Sequence, residues 1–198
     1  MKSGIIIFIR NPVHGKVKTR LAKTIGDEKA FLIYNQLLSH THFITHALTC
    51  EKFLYYSDEV VLNDIWEKSS FHKRVQQPGD LGERMACAFQ ELFNAGYKKL
   101  VIIGSDCIEL NEQIISKAFE MLDSYEVVTG PSEDGGYYLL GMTTYFPQLF
   151  LNKKWGTSSV LADTLLDLSN AGVDTGKLVT LNDIDEEKDL PQSLHHLL

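Results

Sequence analysis

Short apolar runs alternate with helical patterns along most of the chain. The runs that predict buried strands are Ile5–Ile9, Phe53–Tyr56, Leu100–Gly104, Glu126–Gly130, Tyr137–Gly141 and Leu178–Leu181. The patterns that predict helices are Asp27–Ala47, with Asp27 as the N-cap, Glu83–Asn94, Glu112–Asp123 and Ser158–Asn170.

This order of strands and helices predicts an α/β fold. Helical connections between strands are typical of right-handed crossovers, which cover both faces of a parallel sheet. We therefore expect a doubly wound, mostly parallel sheet. No repeat, low-complexity stretch or linker interrupts the pattern, so residues 1–198 are expected to form a single domain. Ligands of such sheets bind beyond the carboxyl ends of the strands, and the loops there are where chemistry is expected.

The composition is that of an ordinary globular protein, with 44% hydrophobic and 23% charged residues. No apolar run is long enough for a membrane helix, and the start of the sequence lacks the pattern of a signal peptide. Three cysteines, an odd count without close pairing, predict reduced thiols and a cytoplasmic protein. A net charge of −7 argues against nucleic acid as a partner.

Basic residues are concentrated in the loop after the first predicted strand. Five of them occur between residues 10 and 23 without any acidic residue, four of these in the stretch up to Leu21, and arginine and lysine in such density suit a polyanion. Gly15 would let backbone N–H groups approach that ligand. A Walker A loop is excluded, because Val17 follows Gly15-Lys16. The expected phosphate-binding residues are Arg10, Gly15, Lys16, Lys18 and Arg20, and the alternative is a solvated basic loop.

Asp106 follows the apolar run that ends at Gly104, with Ser105 between them. Mg²⁺ and Mn²⁺ prefer one or two protein carboxylates together with phosphate oxygens, so Asp106 is predicted to be a metal ligand. Glu109 could assist through a water molecule. The alternative is that Asp106 caps the following helix. Cys107 has no evident histidine partner and is interpreted as a packing residue.

An acidic, glycine-rich turn separates two predicted strands at residues 130–138. Gly135 and Gly136 allow the backbone to turn tightly against a ligand, and Asp134 would hold an acceptor hydroxyl, act as a base or touch the metal. A simple Asp-Gly hairpin turn is an equally good interpretation.

Two later segments add candidates. Trp155 would offer an aromatic wall to a sugar or base, although a lone tryptophan is more often part of a core. Asp183 and Asp185 alternate along an extended segment, so one or both could complete the metal site. A solvated acidic helix start is the alternative for the neighbouring glutamates.

Four motifs in order resemble those of one bacterial family. They are Phe8-x-Arg10-x-Pro12-x-x-Gly15-x-x-Lys18-Thr19-Arg20-Leu21, Gly79-Asp80-Leu81-Gly82-Glu83-Arg84-Met85, Ile103-Gly104-Ser105-Asp106-Cys107 and Gly130-Pro131-x-x-Asp134-Gly135-Gly136-Tyr137-Tyr138. They are similar to the GT-A glycosyltransferase-like, selenodomain-associated transferases of the nucleotide-diphospho-sugar transferase superfamily. Ile108 stands where that family usually has proline, and Gly156 where it usually has serine.

The resemblance implies a Rossmann-like GT-A three-layer sandwich with a divalent cation, Mg²⁺ or Mn²⁺, on Asp106. It also implies roles for further residues. Catalysis is expected from Asp106, Asp134, Lys18 and Arg20, and metal binding from Asp106 and Asp185. Gly82, Arg84 and Ser105 are expected to help bind the nucleotide, and Glu83, Gly135, Gly136, Tyr137 and Trp155 to contact substrate.

The implied function is metal-dependent transfer from a nucleotide-diphospho-sugar to an unknown small-molecule acceptor. The Lys18–Leu21 stretch is also similar to the phosphate loop of nucleotidyltransferases of the phospholactate guanylyltransferase type, which use a nucleoside triphosphate. A non-catalytic nucleotide-binding module is a further alternative. No sequence pattern addresses the base, the sugar or the oligomeric state.

Overall fold

The chain folds around one seven-stranded sheet in this computed structural model, which describes residues 2–198. The strands are β1 (Ser3–Ile9), β2 (Glu51–Tyr56), β3 (His72–Val75), β4 (Lys99–Ile103), β5 (Val127–Pro131), β6 (Tyr137–Met142) and β7 (Thr175–Lys177). The α-helices are α1 (Thr19–Ile25), α2 (Asp27–His46), α3 (Leu81–Asn94), α4 (Glu112–Met121) and α5 (Val160–Asn170). Short 3₁₀ helices cover Pro147–Phe150, Glu187–Asp189 and Gln192–Leu197.

The strand order is β3-β2-β1-β4-β6-β5-β7. Only β6 runs against the others, pairing antiparallel with β4 and β5, while the remaining neighbours pair in parallel. The expected α/β class and the mostly parallel, doubly wound sheet are confirmed. The carboxyl ends of β1, β2, β3, β4 and β5 consequently lie at one edge of the sheet.

Alternating side chains of the central strands enter two separate cores, one on each face. Ile5 and Ile7 of β1 pack in the cluster that contains residues of α2 and α4, whereas Ile6 packs in the cluster that contains residues of α3 and α5. This follows from the two-residue period of a strand. The result is the predicted three-layer sandwich.

A third, smaller core fastens the C-terminal segment to the first two helices. Leu21 of α1 and Ile33 of α2 are fully buried there against Ile184 and Leu190. Because Ile184 is anchored in this way, the acidic residues on either side of it are brought to the same edge as the loop after β1. No helix within residues 2–198 has the length and hydrophobicity needed to cross a membrane.

Two predictions about the elements were wrong, and two elements were not predicted. Gly26 occupies the N-cap position of α2, and Asp27 is instead the first helical residue. The negative charge of Asp27 interacts favourably there with the positive end of the helix dipole. The strand expected at Leu178–Leu181 is β7 at Thr175–Lys177, after which Leu181 makes one isolated bridge to Ser132. The edge strand β3 and the short helix α1 were not predicted, because four and seven residues give little periodicity.

Candidate active site

Lys18 lies at the junction between the loop after β1 and helix α1. Its backbone has φ 48° and ψ 42°, the left-handed conformation that non-glycine residues seldom adopt. Its ammonium group donates to the carbonyl oxygen of Ile184 at 2.6 Å and lies 2.7 Å from Asp106 Oδ1. The side chain is only 5% exposed. Lys18 is therefore not part of a solvated basic loop, the alternative considered from the sequence.

The other cations of this loop face outward. Arg10 and Lys16 are exposed. Arg20 Nη1 donates to Asp185 Oδ2 at 2.6 Å, and both side chains are about half exposed or more. This hydrogen bond and the charge of Asp185 raise the pKa of Arg20, with a smaller contribution from Asp134. The basic loop, the turn after β5 and the C-terminal segment thus meet.

Asp106 stands at the carboxyl end of β4 with its carboxylate half exposed. Its backbone carbonyl accepts a hydrogen bond of 2.9 Å from the N–H of Ile184. It does not cap α4, because Asn111 occupies that position and accepts from the N–H of Ile114. Glu109 binds the N–H of Asn182 at 2.9 Å and so helps to fix the C-terminal segment.

Asp183 is the carboxylate that the structure brings towards Asp106 and Asp134. Its Oδ2 accepts a hydrogen bond of 2.8 Å from Ser132 Oγ. Burial raises the pKa of Asp183 to about 6, and the charges of Asp106 and Asp134 add to the effect, while Ser132 and Lys18 oppose it. Asp185 was the residue assigned to the metal from the sequence, but its carboxylate is engaged by Arg20.

The glycine-rich segment is a hairpin turn between β5 and β6 that also carries a carboxylate to the site. Asp134 Oδ1 accepts from the N–H of Gly136 at 2.8 Å. Gly135 has φ +89°, and a Cβ there would lie 2.2 Å from the carbonyl oxygen of Ser158. The two interpretations of this segment, hairpin turn and ligand-facing loop, are therefore compatible.

Glu83 and Arg84 lie near the start of helix α3, and their side chains make different contacts. The Glu83 side chain accepts from the N–H of Asp80 at 2.8 Å, and Asp80 accepts from the N–H of Glu83, which is a capping box. The contact of Glu83 with substrate stays a prediction. Arg84 Nε donates to the carbonyl oxygen of Gly79 at 2.9 Å, and Nη1 lies 3.4 Å from Gln76 Oε1.

Arg84 lines an open cleft of about 500 Å³ beyond the carboxyl ends of β2 and β3. Most of the other lining residues are polar. The complete lining is Ser57, Asp58, Val75, Gln76, Gln77, Pro78 and Arg84. Gln76 forms part of its floor, because its amide donates to the backbone carbonyl oxygens of Ile9 and Tyr55, both at 3.1 Å.

Asn11 joins this cleft to the loop after β1. Its Nδ2 donates to the carbonyl oxygen of Glu59 at 2.8 Å, and its Oδ1 accepts from Ser57 Oγ and the N–H of Asp58. Asn11 is 7% exposed. The sequence analysis missed Asn11, Gln76 and Asp58, because each is a single polar residue whose partners are far away in sequence. The feature of the sequence that could have identified them is their position just after the end of a strand.

Tyr137 and Trp155, both expected to contact substrate, pack against the core that contains α3 and α5. The Tyr137 hydroxyl and the Trp155 indole N–H are buried and have no hydrogen-bond partner within residues 2–198. Burial also raises the pKa of Tyr137. Cys107 is likewise buried, and burial raises the pKa of its thiol to about 12, in line with a packing role.

The chain matches known proteins in sequence and in fold. Residues 43–157 match the family model DUF2064, described as uncharacterized proteins conserved in bacteria. A crystal structure from Desulfovibrio desulfuricans G20, provisionally named a nucleotide-diphospho-sugar transferase, has a TM-score of 0.85 and 32% sequence identity. That match covers 94% of this chain and 84% of the other. No curated protein matches the chain.

More distant structures share the fold alone. The inositol-1-phosphate CTP transferase from T. maritima has a TM-score of 0.59 at 15% identity, covering 100% of this chain and 94% of its own. The CMP:2-keto-3-deoxy-manno-octonic acid synthetase in complex with CTP has a TM-score of 0.54 at 11% identity, covering 100% and 98%. From the family model and the 32% identical relative it follows that the chain belongs to the bacterial DUF2064 family and has the nucleotide-diphospho-sugar transferase fold.

Proposed function

We propose that this protein is a nucleotide-dependent transferase that moves a glycosyl group from a nucleotide-diphospho-sugar to a small acceptor. The observation that carries the proposal is the meeting of the basic loop after β1 with Asp106 and Asp183 at one edge of the sheet. A diphosphate is bound and stabilised as a leaving group by such a combination of cations and metal-binding carboxylates. The name of the 32% identical relative supports this class of donor.

Arg10, Lys16, Lys18 and Arg20 would bind the phosphates. Arg10 and Lys16 are exposed, and Arg20 can exchange its exposed contact with Asp185 for a phosphate at little cost. Their positive charge would offset the negative charge that develops on the diphosphate as the glycosyl bond breaks. Ser105, buried directly before Asp106, belongs to the loop that shapes this site.

The carboxylates at this edge suit Mg²⁺ or Mn²⁺. These hard cations take oxygen ligands and are commonly held by one or two protein carboxylates plus phosphate oxygens. Asp106 and Asp183 would provide such a pair, since both carboxylates lie at this edge and the charge of Asp106 acts on Asp183. A divalent cation there would supply positive charge to the diphosphate. We assign Asp183 this role in preference to Asp185, which is bound to Arg20.

The cleft beside Arg84 is a suitable place for the nucleoside. It opens beyond the ends of β2 and β3, next to the basic loop, and its floor is fixed by Gln76. Arg84 is itself held by Gly79 and Gln76, so its planar guanidinium would stack on a base or contact a phosphate without much loss of side-chain entropy.

Asp134 is the group we assign to the acceptor. Its carboxylate is exposed, is oriented by the N–H of Gly136, and lies near both Arg20 and Asp183. An exposed carboxylate beside the phosphate site can accept the proton of an attacking hydroxyl group. Gly135 lets this turn pack against the backbone of Ser158, which helps to fix the position of Asp134.

Nucleotidyl transfer is the second candidate. It is favoured by the number of cations in the loop after β1, since four basic side chains suit a triphosphate at least as well as a diphosphate. In that reaction the acceptor attacks the α-phosphorus of a nucleoside triphosphate and pyrophosphate leaves. The same residues would bind the phosphates and stabilise the departing group.

The products distinguish the two reactions. The protein is incubated with Mg²⁺ or Mn²⁺, candidate acceptors and panels of nucleotide-sugars and nucleoside triphosphates, and phosphorus NMR identifies what is released. Nucleoside diphosphate from a nucleotide-sugar supports glycosyl transfer, whereas pyrophosphate moves the assignment to nucleotidyl transfer. Binding without either product indicates a nucleotide-binding module. No binding of any nucleotide contradicts the proposal.

Variants test the assigned carboxylates. Asp106→Asn and Asp183→Asn should each lower the rate by about a hundredfold or more, since each removes charge from the metal site. Asp185→Asn should have a smaller effect if Arg20 is its main partner. Asp123→Asn is the matched control, because that exposed carboxylate pairs with Lys99 and lies two residues after the end of α4. The rate of this variant should equal that of the unmodified protein.

A further inference from the structure

The Lys18 ammonium holds the same carboxylate that the proposed function assigns to a divalent cation. It lies 2.7 Å from Asp106 Oδ1. We propose that Lys18 is an internal counter-ion of Asp106, so that the divalent cation binds tightly only together with the phosphates of the nucleotide. This inference rests on the proposed function and adds to it the coupling between the two ligands.

The position of Lys18 is fixed by several independent contacts. Its ammonium also donates to the carbonyl oxygen of Ile184, which is itself buried in the third core. Its left-handed backbone turns the side chain inward, away from the exposed neighbours Lys16 and Thr19. A lysine that adopts an uncommon backbone conformation and buries its side chain is held there by compensating contacts.

The charges around Lys18 explain what it does. The Lys18 ammonium contacts Asp106 Oδ1 and the carbonyl oxygen of Ile184, the residue next to Asp183. Arg20, the other cation near these groups, is bound to Asp185. Lys18 is thus the buried cation that offsets the negative charge of Asp106.

A divalent cation and an ammonium group cannot both bind Asp106 closely without strong repulsion. In this proposal that repulsion moves Lys18 away from Asp106 when the metal binds, and a buried ammonium that loses its partner needs another anion. A phosphate of the nucleotide provides that anion. Lys18 passes to the phosphate while Asp106 passes to the metal, so each ligand makes binding of the other more favourable.

The test measures Mn²⁺ binding from the electron paramagnetic resonance signal of free Mn²⁺, in the absence of nucleotide. Lys18→Met removes the charge at similar size and should bind Mn²⁺ about tenfold or more tightly than the unmodified protein. Lys18→Gln, which keeps a donor for the Ile184 carbonyl, should do the same. Adding Asp106→Asn to Lys18→Met should abolish the gain, which assigns it to Asp106.

Lys23→Met is the matched control, because it removes the same charge at an exposed position of α1, five residues after Lys18. It should leave Mn²⁺ binding unchanged. If the unmodified protein binds Mn²⁺ as tightly as both Lys18 variants, the role of Lys18 is refuted. Equilibrium dialysis of the unmodified protein with Mn²⁺ and nucleoside diphosphates distinguishes failure of the Lys18 inference from failure of the proposed function. If the unmodified protein binds none of these ligands, the proposed function is refuted instead.

Discussion

The indole ring of Trp155 occupies the space that a side chain on Gly82 would need. A Cβ at residue 82 would lie 2.4 Å from Trp155 Nε1 and 2.5 Å from two of the ring carbons. Gly82 is the second residue of α3, so the contact fastens the start of this helix to the segment that precedes α5. Glycine is therefore required at residue 82 because of packing.

Gly82→Ala should lower the free energy of unfolding by about 1–3 kcal/mol, because the added methyl group forces the ring to move. Urea denaturation measures this change. Gly104→Ala is the control, since no heavy atom lies within 4 Å of a Cβ at that position. It should change stability by less than about 0.5 kcal/mol. Equal losses in the two variants would contradict the role of the Trp155 contact.

Asn11→Ala should destabilise the protein by about 1–3 kcal/mol, because it leaves buried polar groups of the residue 57–59 loop without partners. It should also weaken nucleotide binding, since that loop lines the cleft beside Arg84. Denaturant titration and dialysis with nucleotide measure the two effects. Asn35→Ala, which removes one hydrogen bond to Phe31 within α2, should leave nucleotide binding unchanged.

Asp183→Asn should stabilise the protein by about 1–3 kcal/mol near pH 7.5 in the presence of a chelator, because it removes a partly buried charge repelled by Asp106 and Asp134. The pKa of Asp183 is raised from 3.8 to about 6 in the folded protein. The folded state therefore binds this proton more tightly than the unfolded chain, and stability falls as the pH rises through that window.

The stability difference between Asp183→Asn and the unmodified protein should accordingly shrink as the pH is lowered from about 6 to about 4. Thermal unfolding at a series of pH values measures it. A difference that stays constant over this range would show that the charge of Asp183 is not its cause.

The three cysteines should differ in reactivity. Cys87 is exposed on α3, whereas burial raises the pKa of Cys50 to about 11 and that of Cys107 to about 12. Because the thiolate is the reactive form, a thiol reagent near pH 8 should label one cysteine quickly and the others only after unfolding. Cys87→Ser should abolish the fast phase, and a fast phase that remains would contradict this assignment.

Much of the fold follows from local patterns in the sequence. Five apolar segments form strands close to where they were predicted, because fully buried strands read as continuous apolar runs. The loops after β1, β4 and β5 were identified for the same reason, since each directly follows such a run. The Glu83–Asn94 pattern predicted most of α3, but it gave no sign that Glu83 is engaged in a capping box.

Contacts between distant segments could not be predicted in the same way. The choice between Asp183 and Asp185 depends on hydrogen bonds to Ser132 and Arg20, which are 51 and 165 residues away in sequence. The cleft beside Arg84 depends on Gln76, whose amide reaches the backbones of β1 and β2. Neither arrangement produces a periodic pattern in the sequence, because each is formed by single polar residues in loops.

The sequence by itself determined the α/β class, the basic loop and the carboxylate at the end of β4, since hydrophobic periodicity and charge density are local properties. Only the tertiary structure decided that Lys18 is buried against Asp106. That contact requires the C-terminal segment to pack on α1 and α2 through Ile184, so that residues from the two ends of the chain meet. Burial and partner choice are properties of the whole folded chain, because they depend on which distant segments displace water from a side chain.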